Sequence, residues 1–80
     1  SHAAAARARE VQARHHSLIL AALEQYGPAG KDAVAARTGL TGVAVARRVT
    51  ELERAGLIRP TGRKVQSAAG RWEREWGLVR

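Results

Sequence analysis

The sequence predicts a mainly α fold in which three helices are followed by a two-stranded β-hairpin. Three observations lead there. Apolar residues recur at helical spacing through residues 11–26. Two further helical segments are separated only by a short turn around Gly39. Beyond Gly56 the pattern changes to the period of two that marks a strand.

The first helix spans residues 11–26, where Val11, Leu18, Ile19, Ala22, Leu23 and Tyr26 share one helical face and Gly27 and Pro28 stop the run. Upstream, residues 3–8 are alanine-rich and helix-prone. Ala4, Ala8, Val11, His15, Leu18 and Ala22 alternate in steps of four and three, the spacing of a seam that lets a helix pair with another copy. Residues 1–10 are therefore read as a helical extension or a frayed tail, and residues 11–80 as the domain. Ser1 and His2 have the character of a tag-removal remnant and carry no weight in the reading.

Residues 27–30 read as a turn and residues 31–38 as a short second helix, with Val34, Ala35 and Thr38 inward and Asp32 complementing the helix dipole. Gly39 suits the left-handed conformation that ends a helix, Leu40 is an apolar anchor, and Thr41 is an N-cap. The third helix covers residues 42–55, with Val45, Val49 and Leu52 on one face and Gly56 closing it. Two helices joined by so short a glycine-containing turn form a helix-turn-helix. Residues 57–59 then open a strand, residues 60–62 kink it, residues 63–66 continue it, and residues 67–70 are the hairpin tip. In the return strand Trp72, Arg74, Trp76 and Leu78 alternate with Glu73, Glu75, Gly77 and Val79. Trp76 and Leu78 are expected in the core, while Trp72 is expected to pack, to stack or to meet a partner.

Eighty residues suit one domain with a modest core. Phe, Met and Cys are absent, so the core must be assembled from Leu, Ile, Val and the three aromatics, and neither a disulfide scaffold nor a thiolate metal site is available. The longest apolar run, residues 18–23, is too short to span a bilayer, so no membrane partner and a cytoplasmic location are expected. His15 and His16 lie about 100° apart on a helix and cannot chelate one ion together, and no phosphate loop, nucleophile elbow or inward carboxylate pair is present. Neither a cofactor, nor a metal, nor an enzymatic activity is expected.

The net charge is +7, and it is uneven: residues 1–26 carry +1, residues 27–55 carry +2, and residues 56–80 carry +4. A surplus concentrated on a hairpin favours a polyanionic partner, although a charged edge also discourages strand-to-strand aggregation.

Residues 15–80 resemble the winged helix-turn-helix superfamily of bacterial regulators, including its MarR-like and ArsR-like groups. The resemblance is carried by small Ala35, the turn glycine four positions later at Gly39, the aliphatic Val45, and the Glu-Leu-x-x-Ala-Gly-Leu-Ile run from Glu51 to Ile58. These residues have packing and turn roles that account for the fold alone, so the function must be sought on the exposed face.

With Val45, Val49 and Leu52 inward, helical geometry puts Val43, Arg47, Thr50 and Arg54 on the opposite face, with Gly42 and Ala44 near its start. The resemblance implies that this face enters the major groove of double-stranded DNA. Arg47 is then the candidate base contact and Thr50 a base or phosphate contact. Val43 and Ala44 are placed to touch thymine methyls, and Thr41 with the free amides around Gly42 to hold a phosphate. Strong members of the family carry Ser, Arg, Asn or Gln where this chain has Gly42, Val43 and Ala44, so its first turn offers little hydrogen-bonding chemistry. Glu51 and Glu53 oppose phosphate from the far end. A solvated surface role for Arg47 stays open, and Arg48, beside the core stripe, is expected to snorkel there with a phosphate in reach. The wing supplies Arg59, Arg63, Lys64, Arg71 and Arg74 around the hairpin tip, where the resemblance implies contact with the backbone or the minor groove, and Arg63, Lys64 and Arg71, nearest the tip, are the candidate phosphate ligands.

Two readings follow. The first is duplex DNA binding, as part of a transcriptional regulator or of a phage- or plasmid-type replication or packaging factor. The alternative is a protein-interaction module using Val43, Ala44 and Ala46 or Trp72. A weak homodimer through Ala4, Ala8, Val11 and His15 goes with the first.

Overall fold

The computed structural model describes residues 2–80, and Ser1 lies outside them. The order is α1 (His2–Tyr26), β1 (Ala29–Gly30), α2 (Lys31–Thr38), α3 (Gly42–Arg54), β2 (Ile58–Gln66) and β3 (Trp72–Leu78), and the strands form one antiparallel sheet in the order β1-β3-β2.

The sheet has three strands where two were expected. Residues 29 and 30 pair with β3, Ala29 opposite Trp76 and Gly30 opposite Glu75. A two-residue strand beside Gly27 and Pro28 has no local signature; it forms because β3 passes within reach. Gly30 also needs its missing side chain, since a Cβ there would come within 2.5 Å of Val65 Cγ2 and 2.6 Å of Glu73 Oε1.

α1 is one continuous helix that includes the alanine-rich segment, and it outruns the body it packs on. Only Ile19, Ala22 and Leu23 are buried, whereas Leu18, expected inward, is 38% exposed, and Val11 of the expected seam is 43% exposed. At 1.5 Å per residue the 25 residues measure roughly 37 Å, against a longest molecular extent of 41 Å. Tyr26, also expected inward, is exposed and carries the Arg37 guanidinium 4.9 Å above its ring.

The helix-turn-helix follows its local signals. Gly39 takes φ +76° and donates its amide to the Ala35 carbonyl, and Thr41 Oγ1 accepts from the Ala44 amide at 3.1 Å. Gly56, at φ +76°, ends α3. The core joins Ile19, Leu23, Ala29, Val34, Val45, Val49, Leu52, Ile58 and Trp76. Ile58 lies opposite Leu78 and Pro60 opposite Trp76, so one face of the sheet closes against the helices.

Candidate nucleic-acid interface

On α3 most of the residues expected at the groove stand at the surface. Thr41, Gly42, Val43, Arg47 and Thr50 are exposed, Val43 at 77%, and Ala44 and Ala46 are half-buried. Among the described residues Arg47 makes no ion pair, which leaves its whole guanidinium fork available. Thr41 Oγ1 uses a lone pair on the Ala44 amide and keeps its proton to donate, beside the leading amides of Gly42 and Val43 that no helix carbonyl can reach. Thr50 is the opposite case. Its hydroxyl donates to the Ala46 carbonyl at 3.2 Å, which leaves its oxygen as an acceptor, suited to a base amino group and not to a phosphate oxygen.

Arg48 is elsewhere. Its side chain is 11% exposed and pairs with Glu51 at 3.4 Å, and its Nε is buried without a partner. Glu51 reaches across to α1, where His16 Nε2 lies 2.7 Å from Oε1. A hydrogen bond from the Gln12 side chain, then the one from His16, and then the nearby Arg48 and His16 charges hold the Glu51 carboxyl below its ordinary range, against the opposing effect of burial. The Glu51 charge, read from sequence as opposing phosphate, is thus spent on joining α3 to α1.

The hairpin keeps its acids on one face. Trp72, Arg74, Trp76 and Leu78 share one side of β3. Trp76, at 8% exposure, turns into the core, and the same face continues beyond it as Arg74 with Lys64 opposite and Trp72 with Gln66 opposite. Lys64, Arg74 and Trp72 are exposed, Trp72 at 66%, and neither base is in an ion pair among the described residues. The reverse face holds Glu73 and Glu75. There Glu75 Oε1 accepts from Thr61 Oγ1 at 2.8 Å and from Arg63 Nε at 3.1 Å, bracing the irregular stretch of β2 between Pro60 and Lys64. Arg63 is thereby held on the acidic side, its side chain still 75% exposed, and Arg71 stands exposed at the tip, its amide donating to Ser67 Oγ.

Of the three candidate wing ligands, only Lys64 lies on the open basic face. Arg74, a wing base by sequence but not among the three preferred phosphate ligands, joins it there. The signal was present, since Arg74 shares the period of two with Trp76, but its meaning depended on which face the core would take.

A family described as winged helix-turn-helix DNA-binding matches residues 14–59. Among solved structures, the Zalpha domain of PKZ from Carassius auratus, crystallised in complex with Z-DNA, is similar in fold. Its TM-score is 0.70 at 19% sequence identity, over 86% of this chain and 98% of that chain. No curated protein sequence matches the chain.

Proposed function

The chain belongs to the winged helix-turn-helix DNA-binding family, and from that premise we propose that it binds right-handed duplex DNA with α3 in the major groove and the wing on the backbone. In this reading it is the cytoplasmic DNA-binding module of a transcriptional regulator or of a phage- or plasmid-type replication or packaging protein, and it binds without catalysing a reaction. The observation that carries the reading is the distribution of free cations. Arg47, Lys64, Arg71 and Arg74 are exposed and unpaired among the described residues, while Glu51, Glu73 and Glu75 are engaged in contacts elsewhere.

Selection from a random duplex pool at two salt concentrations tests it. Arg47→Ala is expected to weaken binding to the selected site by about 1–3 kcal/mol and to relax preference at one base pair. Equal weakening on every sequence makes Arg47 a phosphate contact, and unchanged affinity removes α3 from the interface. Affinity indifferent to salt favours instead a protein partner at Val43 and Trp72. A left-handed alternating CG duplex belongs in the same assay, because the Zalpha domain of similar fold is in complex with Z-DNA.

The proposal includes a weak dimer. One short recognition helix reads few base pairs, and two copies set half-sites about 34–36 Å apart. The projecting length of α1, with Ala4, Ala8, Val11 and Leu18 exposed, offers an apolar stripe to a second copy, on which half-buried His15 also lies. Its small side chains bury little area, so association becomes appreciable only on adjacent sites. Removing residues 1–10 should leave the melting temperature nearly unchanged and abolish cooperative binding to a two-site duplex. Identical titrations of the full and truncated chains would discard the dimer.

A further inference from the structure

The hairpin tip and the start of α2 each lack something that the other supplies. Gly30, the N-cap of α2, has no side chain to cap the helix, and Glu73 Oε1 from β3 accepts the Asp32 amide at 3.0 Å. At the tip, Ser67 and Gly70 find backbone partners within the hairpin, whereas the Ala68 amide donates to Asp32 Oδ2 of α2 at 3.0 Å. The two carboxylates form a reciprocal tie between elements 36 and 41 residues apart in sequence. Gly30 lets the surfaces close, with Val65 and Glu73 filling the space a side chain would need. Since α2 passes into α3 through only residues 39–41, a wing tied to α2 has a set angle to α3.

We propose that Asp32 and Glu73 are positioning residues for DNA binding: their reciprocal clamp holds the wing so that Lys64, Arg71 and Arg74 meet the backbone while α3 lies in the groove. This rests on the DNA-binding reading of the wing. It also reverses the sign that simple electrostatics gives. Two carboxylates beside a basic hairpin repel phosphate, so deleting either one without a positioning role would tighten binding. The clamp requires the opposite, because a wing free to swing loses the advantage of preorganisation.

The experiment compares Asp32→Ala and Glu73→Ala with Asp32→Asn and Glu73→Gln in the full chain, by duplex titration at two salt concentrations. Thermal melts and the exchange rate of the Ala68 amide are followed alongside. The alanine variants are expected to bind on the order of fivefold to tenfold more weakly, about the effect of removing one or two phosphate ligands, and with a shallower salt slope. The amide variants keep an acceptor oxygen without the charge, and should bind as tightly as wild type or tighter. Ala68 exchange should accelerate in Asp32→Ala and be largely restored in Asp32→Asn. In a background lacking Lys64, Arg71 and Arg74, the alanine substitutions should cost no further affinity.

Alanine variants that stay folded and bind as tightly as wild type overturn the clamp. So does a weakening that persists without the wing bases, because that reports impaired folding. A wild-type chain with no salt-dependent affinity for any duplex overturns the parent reading together with the clamp, and is distinguishable because it shows in the unsubstituted protein.

Discussion

Trp76→Ala is expected to lower the unfolding free energy by about 3–5 kcal/mol, a large share of the roughly 5–15 kcal/mol that holds a domain of this kind together. At Trp76 the three strands and the helical layer meet. The residue lies opposite Ala29 of β1 on one side and Pro60 of β2 on the other, and it is buried with Ile19, Leu23, Val45 and Val49. A core without Phe or Met has no large flexible neighbour to relax into the space. Removing the indole also weakens the anchorage of β1, and with it the seating of Gly30 at the start of α2. Urea and thermal denaturation followed by far-UV circular dichroism measure the effect. At about 4–8 °C per kcal/mol for a domain this size, the midpoint should fall by more than about ten degrees. Trp76→Phe, which keeps a ring, should be markedly less damaging. A destabilisation by Trp76→Ala under about 1 kcal/mol, the scale of an ordinary surface change, would mean that the indole is not the keystone of the sheet.

Replacing Lys64, Arg71 and Arg74 together with alanine should weaken binding to all duplex sequences alike. It should also flatten the dependence of log affinity on log salt by roughly 0.9 for each phosphate no longer neutralised, about 2.7 if all three touch the backbone. These three are exposed and unpaired among the described residues, and two of them stand opposite each other on the face of the hairpin that continues from the core. Arg63→Ala is the internal comparison. Its guanidinium is held by Glu75 on the other face, so it should change the slope less than any of the three. A slope equal to that of wild type in the triple variant would leave the wing's charge facing solvent only. Preserved folding is expected, since none of the three contributes to the core.

The helical framework was legible in the sequence because its signals are local. Gly39 and Thr41 act on backbone groups within four residues of themselves, and Val45, Val49 and Leu52 declare a buried face by spacing alone. The alternation from Trp72 to Leu78 marked a half-buried strand for the same reason, and the exposed residues of α3 followed by geometry from the buried ones. What spacing cannot express is which distant segment a residue will meet. Residues 29 and 30 become a strand only because β3 runs beside them, and Glu73 becomes a helix cap only because Gly30 lets the hairpin close on α2. Glu51 reads as a charge opposing phosphate until α1 is laid across it, and Leu18 reads as core until the body proves shorter than the helix. Periodicity determines that an element has an apolar face. Contacts between elements far apart in sequence decide how much of that face is covered, and which charges are left free to meet a partner.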